Sequence, residues 1–357
     1  MGKNKELKVV FSGGGTGGHY YPALSVLKYL NKYYNKLEVI YFTTKGRIEE
    51  KKLPTDFPKA KLIPLNTKGL ERPLYNFKNI NRAFEVLKDT HKVEKIIKEF
   101  KPVFGFLTGG YVTVPVGLAL KKQNIPFYLH EQNSTLGISN KVLSRWAKKV
   151  FVSYEQTKTN DKFILTGNPV RTPENEIPRS YLLNFGINDL NKRCILVFGG
   201  SLGSNEIDEL MLKVYEKEKI NNYIHITKNP EKFKQFPNVF TFEYLENLYE
   251  LMAISDGVIS RAGATTLAEI QFYDLSAILI PWKGAAENHQ LKNALSLQKK
   301  GKVAVFDEEN VEIDRLINFL NCIQPKNEEY IYTPKINRAT ESIVNNILWA
   351  GCGAEGR

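Results

Sequence analysis

The stretch Val9-Val10-Phe11-Ser12-Gly13-Gly14-Gly15-Thr16-Gly17-Gly18-His19 is a short apolar run that breaks into glycines. An apolar run bounded in this way reads as a buried parallel strand. Glycine lets the backbone turn tightly and lets amide N–H groups approach a ligand with no Cβ in the way. Helical spacing of Leu24, Leu27 and Leu30 predicts a helix immediately after the turn. The N-terminus of that helix would point partial positive charge at the same spot, which suits phosphate. The pattern recurs at Cys194-Ile195-Leu196-Val197-Phe198-Gly199-Gly200-Ser201-Leu202-Gly203-Ser204. Two such turns predict two nucleotide-binding-type α/β halves facing one diphosphate-bearing substrate pair.

Working outward, apolar runs alternate with helical patterns along the chain. Strands are expected at residues 7–11, 37–42, 103–107, 127–130, 150–153 and 163–165 in the first half. In the second half they are expected at 195–198, 223–227, 239–242, 257–260 and 276–280. Such alternation argues for doubly wound parallel sheets. Two prolines, Pro169 and Pro173, bracket a linker that divides residues 1–168 from 169–335. A last helical stretch, 336–349, either finishes the second domain or crosses back to the first. Residues 350–357 differ in character from the rest and are read as a tail outside the fold.

The chain of 357 residues is long for one core and natural for two. Its net charge of +12 points to a polyanionic partner: nucleic acid, anionic lipid or a phosphorylated substrate. The blander cause is a lysine-rich proteome. Three cysteines far apart in sequence make neither a disulfide framework nor a zinc site. Residues 1–8 are polar with no apolar core behind them, so no signal peptide is expected. No run approaches the roughly 18 apolar residues of a membrane span.

Gly13, Gly15 and Gly18 match the G-x-G-x-x-G dinucleotide fingerprint. A dinucleotide site also needs an acid at the end of the second strand to hold the ribose. Here that strand runs into Tyr41-Phe42-Thr43-Thr44-Lys45, so nicotinamide and flavin dinucleotides are set aside. His19 falls at the expected helix start, where the positive end of the helix disfavours imidazolium. A neutral imidazole there could take a proton from a hydroxyl nucleophile, or it could merely hydrogen-bond a carbonyl or a phosphate. In the second half, Ser260-Arg261-Ala262-Gly263-Ala264-Thr265-Thr266-Leu267-Ala268-Glu269 follows a strand and offers another anion-friendly helix start. A carboxylate at Glu269 suits the two vicinal hydroxyls of a ribose. His289 and Gln290, after another strand, could read sugar hydroxyls. Residues 70–88 interleave Leu70, Leu74, Tyr75, Phe77, Phe84 and Leu87 with Arg72, Lys78, Arg82 and Lys88. A helix packed on the core and one lying at an anionic membrane surface both account for this pattern.

These motifs occur in one order: residues 14–19, Gly109-Gly110-Tyr111, His130-Glu131-Gln132-Asn133, Gly167-Asn168-Pro169-Val170-Arg171, Gly199-Gly200-Ser201, 260–269 and Glu287-Asn288-His289-Gln290. Together they resemble the MurG family of glycosyltransferases over residues 7–345. That family moves N-acetylglucosamine from UDP-GlcNAc to the lipid-linked N-acetylmuramoyl-pentapeptide of peptidoglycan synthesis, and so serves cell wall growth, shape and division. The resemblance implies a GT-B fold, two Rossmann-like domains with a cleft between them. It also implies an enzyme without a cofactor on the cytoplasmic face of the membrane. The basic balance is then matched to anionic lipid and phosphorylated substrates rather than nucleic acid.

By carry-over, Arg171 and Ser201 would contact the donor diphosphate and the Leu245 backbone the uracil. Ala264, Thr265 and Thr266, with Leu267 and Ala268 behind them, would line the phosphates. Glu269 would hold the ribose and Gln290 read the sugar. Thr16, Gly17, Gly18 and Asn133 would approach the transferred sugar. Gly14, Gly15, Gly109, Gly110 and Tyr111 would receive the acceptor diphosphate. His19 is the candidate base and Glu131 its runner-up. Arg72, Leu74, Tyr75, Phe77, Lys78 and Arg82 would meet the membrane. No Asp-x-Asp motif offers a metal site, so the protein itself would stabilise the leaving diphosphate. Leu202 stands where many relatives carry a polar residue, and His289 where some carry glutamine, which bears on sugar contacts and not on the class. The rival readings are another lipid-acceptor GT-B transferase, a UDP-sugar epimerase on the same fold, and a non-catalytic nucleotide-binding subunit.

Overall fold

A computed structural model describes residues 6–69, 71, 78–200, 203–285, 288–298 and 302–349. The chain divides into two compact units, one holding the chain up to Val170 and again from Asn337, the other Arg171–Ile336.

The first unit carries β1 (Glu6–Ser12), β2 (Lys36–Thr44), β3 (Ala60–Leu65), β4 (Phe104–Leu107), β5 (Phe127–Glu131), β6 (Lys149–Val152) and β7 (Phe163–Leu165). Its helices are α1 (Gly17–Asn31), α2 (Ile48–Asp56), α3 (Lys78–Phe100), α4 (Thr113–Lys122) and α5 (Ile138–Leu143). The strands pair in parallel in the order β3-β2-β1-β4-β5-β6-β7. Parallel sheets are covered on both faces. Accordingly Val9 and Phe11 lie in one buried cluster and Val10 in another.

The second unit opens with β8 (Ile177–Pro178). It continues with β9 (Cys194–Phe198), β10 (Asn222–Ile226), β11 (Val239–Phe242), β12 (Gly257–Ser260), β13 (Ser276–Leu279) and β14 (Val303–Val305). The helices are α6 (Asn205–Lys217), α7 (Leu248–Ile254), α8 (Ala264–Phe272), α9 (His289–Gln298) and α10 (Ile313–Cys322). Its parallel sheet runs β11-β10-β9-β12-β13-β14. A short β15 (Ile331–Tyr332) pairs antiparallel with β8. The closing helix α11 (Arg338–Trp349) lies in the first unit: Ile343, Val344 and Ile347 share a buried cluster with Tyr20, Ala23 and Leu27 of α1. Lys149 Nζ donates to Asn346 Oδ1 at 2.9 Å, tying α11 to the start of β6.

Both sheets are doubly wound, as expected. Four strands were not foreseen. β3 carries Lys61 and Pro64, which break the apolar pattern, and an edge strand tolerates proline. β14 is a three-residue edge, and β8 with β15 pair segments far apart in sequence. The order of each sheet reverses once, between β1 and β4 and between β9 and β12. Open α/β sheets bind ligands beyond the carboxyl ends of strands at such a reversal. The turns after these four strands are those that begin at Gly13, Thr108, Gly199 and Arg261.

Candidate functional site

In the first unit the reversal brings two glycine turns into contact. Gly14 N donates to the Gly109 carbonyl at 3.4 Å. Gly110 has φ +84°, and a Cβ there would run into the Gly14 carbonyl oxygen. Gly109, at φ +102°, lets His19 lie against it, where a Cβ would meet His19 Cε1 at 3.0 Å. These positions need glycine for both backbone angle and close approach. The residues assigned to the acceptor diphosphate, Gly14, Gly15, Gly109 and Gly110, therefore stand together, with the half-exposed Tyr111 ring beside Gly69. Thr16 is the extended residue that precedes α1, and Gly17 and Gly18 open the helix. The first amides of a helix have no partner within it and face outward to whatever anion is present.

His19 Nδ1 lies 2.8 Å from the Thr108 carbonyl and 3.1 Å from Gln132 Oε1. Both neighbours are acceptors, so Nδ1 carries the proton in the neutral ring. Nε2 then holds the lone pair. Thr108 Oγ1 donates back to the His19 carbonyl at 2.7 Å, and Gln132 Nε2 donates to the Thr108 carbonyl at 2.8 Å. Thr108 and Gln132 thus orient the imidazole. Sequence reading gave neither a role, although Gln132 belongs to a quoted motif and Thr108 precedes one.

Glu131 is 1% exposed and its carboxylate is fully engaged. Oε1 accepts from the Asn133 backbone N at 3.0 Å and Asn133 Nδ2 at 3.1 Å. Oε2 accepts from Gly137 N and Asn140 Nδ2, each at 2.9 Å. Four donors on one carboxylate close the loop after β5 and fix Asn133. They leave neither oxygen placed to take a proton from a hydroxyl without opening that loop. His130 is buried behind it, with Nε2 3.1 Å from the Gly167 carbonyl. Burial pushes its imidazole down to about 4, against the opposing pull of that carbonyl.

The second unit assembles a charged site. Glu269 is buried on α8, and Arg171 Nη2 lies 3.5 Å from its Oε1, which makes no well-formed hydrogen bond. Burial holds the Glu269 carboxyl above the usual carboxylate range, with Arg171 working against it. Arg171 Nη1 donates to the Glu246 carbonyl at 3.2 Å, and its guanidinium stands 4.8 Å over the Tyr249 ring. Tyr273 Oη donates to the Arg171 carbonyl at 2.8 Å. Arg171, Glu269 and the loop that carries Leu245 are therefore neighbours, with Tyr249 and Tyr273 as unforeseen supports. Ala264, Thr265 and Thr266 form the first turn of α8, after Gly263 in an extended conformation. Ala268 is partly buried, while the Leu267 side chain lies in the hydrophobic core, so a ligand can reach that residue through its backbone alone. Gln290 lies in the first turn of α9, and its Oε1 accepts from Trp282 N at 3.0 Å.

Arg261, to which sequence reading gave no role, ties the turns after β9 and β12 together. Its Nη2 donates to Ser204 Oγ at 2.7 Å and Glu206 Oε2 at 3.0 Å and pairs with Glu308, and Nη1 donates to the Ile280 carbonyl. Ser204 Oγ in turn caps α6 by accepting from Ile207 N. Ser201, Leu202 and Glu287 lie outside the described residues, as do Leu70, Arg72, Leu74, Tyr75 and Phe77.

The remainder of the 70–88 stretch begins α3. Ile80, Phe84 and Leu87 are 55%, 66% and 62% exposed. The core alternative for Phe84 and Leu87 is thereby excluded within this chain. Arg82 pairs with Glu71, so part of its charge is met locally. Among the described residues no helix is long and apolar enough to cross a membrane, and no three His, Cys, Asp or Glu side chains are grouped to hold a metal ion.

Comparison with known proteins adds ancestry to this geometry. Residues 9–152 match the glycosyltransferase family 28 N-terminal domain and residues 194–347 its C-terminal domain. The chain is 39% identical over 351 residues to a protein of Thermotoga maritima, UDP-N-acetylglucosamine--N-acetylmuramyl-(pentapeptide) pyrophosphoryl-undecaprenol N-acetylglucosamine transferase. That match covers 96% of this chain and 100% of the relative. Among solved structures, Acinetobacter baumannii MurG superposes with a TM-score of 0.69 at 22% identity, covering 97% of this chain and 100% of the other. A UDP-GlcNAc 2-epimerase from Neisseria meningitidis bound to UDP-GlcNAc shares the fold at a TM-score of 0.64 and 16% identity, covering 97% and 100%.

Proposed function

The chain belongs to glycosyltransferase family 28, and we propose that it transfers N-acetylglucosamine from UDP-GlcNAc to lipid-linked N-acetylmuramoyl-pentapeptide. The epimerase alternative rests on fold alone, and fold does not decide chemistry. Near-full-length similarity to a named transferase favours transfer.

The donor sugar is α-linked and the family's product is β-linked, so one inverting displacement suffices. The acceptor oxygen bonds to the anomeric carbon as the bond to the UDP oxygen breaks. The proton leaves the acceptor hydroxyl for His19 Nε2, and the electron pair of the broken bond leaves with UDP. The observation that carries this assignment is the pair of acceptors at His19 Nδ1. Nδ1–H is directed at the Thr108 carbonyl and Gln132, which presents Nε2 as the base. Glu131 serves as a positioning residue that holds Asn133.

On the donor side, Glu269 receives the ribose diol and the Leu245 backbone the uracil. Arg171 and the α8 amides at Ala264, Thr265 and Thr266 stabilise the departing diphosphate, with Ser201. Gln290 reads the sugar, and Thr16, Gly17, Gly18 and Asn133 are further contacts to it. The acceptor diphosphate lies on Gly14, Gly15, Gly109, Gly110 and Tyr111. The scheme uses no cofactor.

The enzyme works peripherally at the cytoplasmic face of an anionic membrane. The exposed Ile80, Phe84 and Leu87 next to basic side chains support this reading, and Leu74, Tyr75 and Phe77 extend it. The deciding experiment measures UDP release from UDP-GlcNAc with and without lipid-linked muramoyl acceptor. Release that depends on the acceptor is expected. Acceptor-independent conversion of UDP-GlcNAc to its C2 epimer would replace this reading with the epimerase one.

A further inference from the structure

Beneath the first glycine turn lies a buried acid that the scheme above does not use. Glu49, on the first turn of α2, has no exposed surface. Its Oε1 accepts from the backbone N–H of Gly15, and its carboxyl group packs so close to Gly14 that a Cβ there would overlap it. Gly13 is held from β2, where Tyr41 Oη donates to its carbonyl at 2.8 Å. Gly14 in turn bears on Gly109 and Gly110. One carboxyl group therefore stands under the junction of the two turns that face the acceptor diphosphate. Since Glu49 is enclosed by protein, the Gly15 N–H that it takes points inward and not toward ligand.

We propose that Glu49 is a positioning residue for the acceptor diphosphate subsite, holding the turn at Gly14 and Gly15 from below so that it stays against Gly109 and Gly110. The inference rests on the functional reading above for the identity of the acceptor. A carboxylate under an anion site would repel the substrate. Burial pushes the Glu49 carboxyl up, which lessens that conflict, with the Gly15 N–H working against the shift. The contact itself asks of residue 49 an oxygen acceptor of fixed reach, which glutamine also supplies.

The test compares Glu49→Ala, Glu49→Gln and Gly14→Ala in the full-length enzyme, with steady-state kinetics on lipid-linked acceptor and UDP-GlcNAc. In Glu49→Ala the acceptor KM should rise by about five- to a hundredfold, the range for leaving a buried hydrogen-bonding group unpaired. Donor KM should stay within about twofold, and kcat should fall less than acceptor KM rises. Glu49→Gln should restore acceptor KM to within about threefold of wild type. Gly14→Ala, which displaces the carboxyl group, should resemble Glu49→Ala, and the two substitutions together should cost no more than one.

Unchanged acceptor KM in Glu49→Ala, equal losses for donor and acceptor, or failure of glutamine to rescue would each overturn the proposal. Hydrogen exchange at the Gly15 amide supplies an arm independent of turnover. Faster exchange in Glu49→Ala than in wild type is expected, and equal exchange overturns the contact. If wild-type enzyme releases no UDP with the lipid acceptor, the functional reading fails and the exchange arm still decides whether Glu49 holds the turn.

Discussion

Two buried sites, one in each unit, treat their acids differently. In the first, Glu131 receives four N–H donors and Glu49 the Gly15 amide, so the protein uses its buried carboxyl groups to shape its own loops. In the second, Glu269 is as thoroughly buried, yet its Oε1 lacks a well-formed hydrogen bond and faces Arg171 at 3.5 Å. A buried carboxylate short of donors is costly unless a ligand supplies them. The first unit thus holds one oriented imidazole beside its glycine turns, and the second holds a buried carboxylate facing a guanidinium.

The largest effect that would break this comparison concerns His19. Its replacement by alanine should lower kcat by about 10²–10⁴, the usual worth of a positioned base. UDP-GlcNAc affinity, measured by calorimetry, should stay within about twofold, because the uracil, ribose and diphosphate contacts are assigned to residues of the second unit. Near-normal kcat at saturating acceptor would remove the base from the first unit. A loss confined to acceptor KM would make His19 a diphosphate contact.

Next comes Glu269. Substitution by alanine should weaken UDP-GlcNAc binding by about 1–3 kcal/mol. Calorimetry again reads it, and an unchanged affinity would erase the contrast between satisfied and unsatisfied acids. Because burial holds this carboxyl high, donor affinity should begin to fall on acidification at a higher pH than an exposed glutamate would give.

A smaller effect is on stability. His130 is held neutral in the folded protein down to about 4, against an ordinary value of 6.5. Between those values the unfolded chain binds more protons than the folded one. Its contribution is therefore complete above pH 6.5 and declines as pH falls toward 4, by up to about 1.4 kcal/mol per unit. Urea denaturation across that window should show the decline, and His130→Gln should remove it. An identical pH slope in the variant would show that other groups cause it.

The smallest effect per residue is at the membrane, where each basic side chain near an anionic surface adds about 1 kcal/mol, screened by salt. Co-sedimentation with anionic vesicles should weaken at high salt and in an Ile80→Ser, Phe84→Ser, Leu87→Ser variant. Replacing Leu74, Tyr75 and Phe77 with serine tests the other half of the stretch. Binding that ignores lipid charge, or that survives both sets, would leave the exposed face of α3 unexplained by lipid.

Local pattern in the sequence was enough to read the two parallel sheets, the glycine turns and the helix starts behind them. Apolar runs ending in glycine and leucines at helical spacing are properties of neighbouring residues, and the chain writes them contiguously. The same local reading picked out His19 and Glu269, since each closes a helix-start motif. It could not say that Glu131 is engaged on both oxygens while Glu269 is not, because that depends on donors such as Asn140 and on Arg171, distant from Glu269 in sequence. Nor could it separate core from surface for Phe84 and Leu87, whose spacing fits either until the rest of the unit covers one face of α3 and leaves the other bare. Thr108 and Glu49 lie outside the candidate site residues, and Gln132 and Arg261 sit inside quoted motifs without a role. They matter because a single reversal of strand order sets β1 beside β4 and β9 beside β12. Partners in those sites are chosen by strand order in space, and that order is settled only when the whole sheet closes around its core.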